Sequence, residues 1–363
     1  MDFSLFYFAD HSGSGLDRYR LLLQGARFAD DAGFAAVWTP ERHFHEFGGL
    51  YPNPAVTGAA VAAVTRRIGV RAGSVVAPLH HPARIAEEWS VIDNLSGGRA
   101  GISFASGWHA TDFALRPENF ADRRDVVART IEQVRRLWRG EPAQVADGRG
   151  EPATVRTFPT PVQPNLPAWL TSSGNIETFR AAGRLGTGVL THLLGQDLDD
   201  LPAKIGEYRR LHAEAHGGPG HVVLMLHTFL GTDRASVRET VYEPFSAYLR
   251  SSLGLWVAAA GDLLGTVDPA ELGDEDVDFL IEHSFDRFFD AGGLFGTVDG
   301  VTPLVRKLAG LGVDELACLI DFVPDPDAVL GSLKHLAALK DACRDFRTEQ
   351  HVTPLASASG AAR

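Results

Sequence analysis

Five ionisable side chains fall within six consecutive positions of the stretch VWTPERHFHEFGGLYPNP: Glu41, Arg42, His43, His45 and Glu46. Three kinds of chemistry suit such a group. Imidazoles and carboxylates together can ligate a metal. A histidine beside a carboxylate can move protons near neutral pH. A solvated loop can also be this polar. Spacing disfavours metal, because His43 and His45 lie two apart, no H-E-x-x-H helix occurs and carboxylates are sparse at the other strand ends. No metal is therefore expected. A second polar run, ASGWH (105–109), sets Ser106, Gly107, Trp108 and His109 in succession.

Two further stretches are marked by small residues. In RAGSVVAPLHHP (71–82), Gly73 and Ser74 interrupt a strand-like run, which marks close backbone approach or a bulge. TSSGNIETF (171–179) places Ser172, Ser173, Gly174 and Asn175 where a strand gives way to a helix. Helix N-terminal amides and hydroxyls make an anion site, such as one for phosphate. The same residues serve an ordinary N-cap, and the spacing leaves both readings open.

The elements that must position these residues alternate. Apolar strand-like runs at 3–9, 35–39, 68–77, 100–106, 168–173, 188–194, 221–231 and 315–321 each lead to a helical pattern. Pro82 in a first turn and Gly33, Gly97 and Gly98 just past helix ends punctuate the series. Near-continuous apolar strands are those covered on both faces. Eight strand–helix units predict an α/β fold, the (β/α)8 TIM barrel, with an open doubly wound sheet as the alternative. Residues 1–349 form one domain on this reading, with insertions at 139–166 and 251–298, and 350–363 a flexible tail. A barrel gathers chemistry at the carboxyl ends of its strands. Asp10, His11, Glu41 to His45, His80, His81, Ser106 to His109, Ser172 to Asn175, Thr191, His192, His227 and Asp321 all fall there. Eight of the fourteen histidines belong to this set.

A net charge of -12 argues against nucleic acid and anionic membranes as partners. No run of about eighteen apolar residues is present for a membrane span. The acidic, short-run amino terminus does not read as a secretory signal. With only Cys318 and Cys343, a disulfide framework is not expected, and the cytoplasm is the expected location.

Taken together, AGFAAVWTPERHF (32–44), GVRAGSVVAPLHHPARIAEEWSVIDNLSGGR (69–99) and SSGNIETFRAAGRLGTGVLTHLLGQ (172–196) run in the order of a known family. The chain resembles the luciferase-like flavin monooxygenases, which are (β/α)8 proteins using reduced FMN and O2. WTPERHFHEFGGLYPNP and GISFASGWHATDF resemble the subgroup found beside polyketide and nonribosomal peptide synthetase genes. The resemblance implies reduced FMN supplied by a separate flavin reductase, and oxygen addition at the flavin C4a to give a peroxide. The substrate implied is a natural-product intermediate, a free small molecule or carrier-protein-bound, and the implied assembly is a homodimer. It also implies a cis peptide at Gly73–Ser74 beneath the flavin ring, flanked by Val75, with Ser106, Gly107 and Trp108 beside the flavin. Ser172, Ser173, Gly174 and Asn175 correspond to the phosphate site, and Thr191 and His192 lie near the ring.

His43 is then the expected proton-transfer group, with His109 the second candidate. Glu41 orients His43 or holds Arg42. Arg42 faces an anionic substrate group or stabilises the peroxide. His80, His81 and His192 are expected to make structural hydrogen bonds, and the 251–298 insertion to form a lid. The luciferases proper carry His where this chain has Arg42, and a phosphate-binding Arg where it has Ser106. The first departure weighs against aldehyde chemistry, and the second implies a rearranged phosphate site or weaker FMN binding. An F420-dependent oxidoreductase, a non-catalytic flavin-binding protein and a metal-dependent barrel hydrolase are the competing readings.

Overall fold

The computed structural model describes residues 1–8, 18–46, 48–194, 196–251 and 273–346. Asp10, His11, the 350–363 tail and residues 252–272 of the proposed lid lie outside the described residues. The strands are β1 (Asp2–Phe6), β2 (Ala36–Thr39), β3 (Gly69–Val76), β4 (Ala100–Ala105), β5 (Ala143–Ala146), β6 (Pro152–Val155), β7 (Ala168–Ser172), β8 (Gly188–His192), β9 (Val222–Leu230), β10 (Leu294–Gly296) and β11 (Glu315–Leu319). The helices are α1 (Arg20–Asp31), α2 (Pro54–Val64), α3 (Pro82–Ser96), α4 (Arg123–Trp138), α5 (Ile176–Leu185), α6 (Leu201–His216), α7 (Arg234–Ser251), α8 (Asp274–Arg287), α9 (Val298–Gly310) and α10 (Pro326–Ala342).

Eight parallel strands close a barrel in the order β1-β2-β3-β4-β7-β8-β9-β11, and β11 pairs back to β1. These are the eight strands expected from the apolar runs. Their residues are almost all buried, because the interior packs one face and the helices the other. Helix ends follow the sequence punctuation. Gly97, at φ +67°, closes α3, and Gly33, at φ +71°, follows α1; this left-handed backbone favours glycine.

The two insertions differ from one another. Residues 139–166 carry an antiparallel hairpin, β5 with β6, outside the barrel. The 251–298 stretch holds two elements that the sequence pattern does not reveal. Helix α8 packs on α7 through the Phe245, Tyr242 and Phe285 rings, and β10 adds to β9 in parallel at Leu294↔Thr228. A three-residue strand is too short to show a period, and only its neighbour β9 makes it a strand.

The amino-terminal half of the barrel interior is polar, yet sealed. Arg71 on β3 forms an ion pair with Glu315 on β11, Nη1–Oε2 2.8 Å. The guanidinium lies over both the Trp38 and Trp169 rings, 4.9 and 4.7 Å from their centroids. Ser4 donates its hydroxyl to Glu315 Oε1 at 2.5 Å and accepts the Trp38 indole N–H at 2.9 Å. Burial pushes the Glu315 carboxyl up, but Arg71 and His221 outweigh it and hold it below the ordinary value. Gly188 leaves room for Trp169, since a Cβ there would lie 2.1 Å from Trp169 Cδ1. Glu315→Ala leaves the half-buried Arg71 charge without its ionic partner. The expected loss is about 3–5 kcal/mol of stability, read as a lower denaturation midpoint in guanidinium.

Candidate active site

Alternate residues on a barrel strand face the interior. Arg71 fixes which ones on β3, so Gly73 also faces inward, two residues nearer the mouth. Gly73 stands beside Ser103 in register, and Thr171 lies two residues beyond Ser103's neighbour Trp169. Ser74 and Thr171 hydroxyls approach to 2.5 Å, and Ser103 and Thr171 to 2.6 Å. A floor of glycine and hydroxyls results, with Val75 buried next to it. The Gly73–Ser74 peptide is cis, as the resemblance implies, and the β3–β4 register shifts between Gly73 and Val75. A Cβ on Gly73 would come within 2.6 Å of Phe6 Cε2, so the interior admits only glycine there.

Glu41 is the hub of the charged stretch. Its side chain is buried. Oε1 contacts both His43 Nε2, at 2.8 Å, and His80 Nε2, at 2.6 Å, while Oε2 accepts the Val76 amide at 2.7 Å. Glu41 therefore orients His43 and does not hold Arg42. His80 makes the hydrogen bond expected of it, and its acceptor is the carboxylate oxygen that also contacts His43. Sequence distance hid this partnership: His80 is 39 residues from Glu41 and enters from the end of β3. Burial pushes the Glu41 carboxyl up, but hydrogen bonds from both histidines, the His80 charge and the Val76 amide bring it below the ordinary value. Burial pushes His80 down, and the Glu41 carboxylate outweighs it and raises it.

Arg42 turns the other way. It is buried, pairs through Nη1 with Asp112 Oδ2 at 2.9 Å, and lies 4.9 Å from the Trp108 ring centroid. Asp112 is the ionic partner that sequence reasoning missed; only the short helical turn Ala110–Leu115 brings it round. His109 Nδ1 stands 3.9 Å from Asp112 Oδ1. Burial, then the Arg42 and His45 charges, lower the His109 pKa. Past His43 the chain turns through Phe44, at φ +54°, and His45 and Glu46 are exposed loop residues. Gly107, at φ +71°, packs on Val76 and Phe113, and Ser106 donates to the Gly107 carbonyl at 3.4 Å.

At the β7–α5 junction the cap reading holds for Asn175, whose side chain accepts the Glu177 amide at 2.8 Å. Ser172 Oγ accepts the Gly174 amide at 3.2 Å, while Ser173 is exposed. Gly174, at φ +113°, lies against Gln196, which donates to Thr191 Oγ1 at 2.8 Å. Gln196 in turn accepts from Lys204 Nζ at 3.1 Å. A cation thus reaches this junction from α6, with no local motif to announce it. His192 Nδ1 accepts the Leu194 amide at 3.1 Å, and burial pushes the ring down to about 4. His81 caps α3 by accepting the Ala83 amide. His227, on β9, is pushed down to about 3 by burial and by His192. Among the described residues no group of three or more metal-ligating side chains converges. A flat ring over Gly73, Ser74, Ser103 and Thr171, with an anionic group near Gly174 and Lys204, fits the residues present.

The sequence profile of the luciferase-like monooxygenase family matches residues 1–315. The oxygenase component of the flavin-dependent trigonelline monooxygenase of Acinetobacter baylyi is 24% identical over 334 residues, covering 88% of this chain and 89% of that protein. Monooxygenase RslO1 from Streptomyces bottropensis superposes with a TM-score of 0.77 at 22% identity, covering 95% of this chain and all of that one. The oxygenating constituent of 3,6-diketocamphane monooxygenase from Pseudomonas putida, a type II Baeyer–Villiger enzyme in complex with FMN, gives 0.71 at 20% identity, covering 93% and 98%. These likenesses show a shared fold. The chain belongs to the luciferase-like monooxygenase family and is a flavin-dependent oxidoreductase.

The Glu41–His80 pair sets a pH window. Glu41 is lowered in the folded state, so its contribution is present above the ordinary value of 4.5 and lost as pH falls through the folded value. His80 is raised, so its contribution is present below the ordinary 6.5 and lost as pH rises through its folded value. Their joint stabilisation is greatest between those two pH values. In Glu41→Gln the His80 titration midpoint, followed by NMR, is expected to fall below its wild-type value.

Proposed function

We propose that this chain is the oxygenase of a two-component system, taking reduced FMN from a separate flavin reductase and transferring one oxygen atom of O2 to a natural-product intermediate. The observation that carries the reading is the placement of Glu41, His43 and His80 at the same barrel mouth as the Gly73–Ser74 floor. The substrate class rests on the sequence resemblance in the 38–54 and 101–113 segments. Reduced FMN supplies the two electrons of the reaction, with one oxygen atom going to the substrate and the other leaving as water.

The protein's part is binding, orientation and proton handling. Glu41 is ionised, so its Oε1 accepts the Nε2 hydrogens of His43 and His80. His43 Nδ1 is then the basic nitrogen that takes or returns a proton at the substrate. His80 is the positioning residue that fixes the carboxylate. Ser74, Ser103 and Thr171 would support the ring. Gly174, Asn175 and the α5 amino terminus would receive the phosphate. Lys204 supplies there the charge that Ser106 does not.

The deciding experiment mixes enzyme, a reductase, FMN, NADH and candidate substrates, and reads oxygen uptake and product mass. A product heavier by one oxygen atom, labelled from 18O2, is the expected result. Hydride transfer from reduced F420 with no oxygen uptake would overturn the proposal. His43→Ala is expected to lower kcat by about 100-fold while reduced-FMN binding is retained. Lys204→Met is expected to weaken FMN by about tenfold and leave riboflavin affinity unchanged, read by flavin fluorescence.

A further inference from the structure

Two imidazoles contend for one carboxylate oxygen. His43 Nε2 and His80 Nε2 stand 2.8 and 2.6 Å from the same Glu41 Oε1, while Oε2 is taken by the Val76 amide. The Glu41 side chain is fully buried, whereas the His43 and His80 side chains are 13% and 22% exposed. One ionised carboxylate balances one imidazolium. With both rings charged, two like charges meet on a single oxygen and oppose one another. With neither charged, the carboxylate is buried without a cation. The arrangement favours one imidazolium distributed over two sites.

The two sites differ in their surroundings. His80 lines a small crevice of about 10 Å3, between Asn53 and Ala55 at the start of α2 and Glu88 and Trp89 on α3, with room for a single water. The charged groups facing His80 are Glu41 and Glu88, which favour its charge, and Arg116, which opposes it; Glu88 is itself bonded to Arg84. We infer that His43 and His80 hold one proton in common through Glu41, and that His80 releases it to the crevice when His43 takes one at the barrel mouth. Both Nε2 hydrogens stay on Glu41 Oε1 throughout. The arriving proton binds His43 Nδ1, and the departing one leaves His80 Nδ1 for water. The net charge of the three side chains is unchanged, no electrons move, and no proton crosses the carboxylate. Return of the proton from His43 reverses both steps. His80 touches no reacting atom; it is a positioning residue that acts through Glu41 and spares the mouth a second positive charge.

This inference deepens the proton handling proposed for the monooxygenase site and rests on that reading, but its first test needs no flavin. His80 is titrated by NMR in the full-length protein and in His43→Gln, whose amide keeps a donor to Glu41 and cannot take a proton. The His80 midpoint is expected to rise by about one pH unit or more in the variant. A midpoint that does not move shows two ordinary hydrogen bonds and overturns the inference. The second test compares wild type and His80→Gln with reduced FMN, O2 and substrate. With the competing charge gone, the acidic limb of kcat/KM is expected to move up by a similar amount, while FMN affinity is unchanged. His80→Ala is expected to lose activity, and free imidazole entering the vacated space to restore the wild-type limb. A limb unmoved in His80→Gln, or no rescue of His80→Ala by imidazole, would overturn the part given to His80. Absence of oxygen uptake by wild type overturns the monooxygenase reading instead, and the NMR titration still decides whether the two histidines share a proton.

Discussion

The ion pair between Arg71 and Glu315 sets the register of the barrel interior. It joins β3 to β11 across the barrel and is held over two indole rings, with Ser4 bonded to the carboxylate. A buried charge pair is costly to misplace, since a shifted strand would strand one ion without its partner. A one-residue slip would also turn every interior side chain outward. The position of Arg71 therefore commits Gly73 to the interior at the mouth. That commitment brings the glycine–hydroxyl floor beneath whatever occupies the barrel opening.

Consecutive residues after β2 feed two separate charge systems. Glu41 and His43 share one side of the chain, and Arg42 takes the other, as alternation in extended backbone requires. Glu41 collects two imidazoles and a backbone amide, so its charge is spread over three donors. Arg42 gives its charge to Asp112 and its face to Trp108. Two residues adjacent in sequence thus serve different partners, Glu41 the imidazoles and Arg42 the Asp112 carboxylate.

The β7–α5 junction draws its partners from outside the strand ends. Ser106 stands where the luciferases proper carry an arginine and bonds only to its own neighbour's carbonyl. Lys204 approaches from α6 through Gln196, which buttresses Gly174 and Thr191.

Several features were legible in the chain itself. Apolar runs of strand length separated by amphipathic helices named all eight barrel strands, because burial on both faces leaves a continuous hydrophobic signature. Glycine and proline at helix boundaries marked ends for backbone reasons that need no neighbours. Gly73, Ser74 and the Glu41–His43 pair were visible because small and ionisable residues at strand ends are chemically unusual. Tertiary structure alone decided which of these groups meet. His80 joins Glu41, Asp112 neutralises Arg42, Lys204 reaches Gln196 and β10 becomes a strand only when distant segments close the barrel. Each depends on side-chain direction and on a partner tens of residues away, and local periodicity carries neither. Composition and spacing determine which chemistry is available; the closed barrel determines which atoms share it.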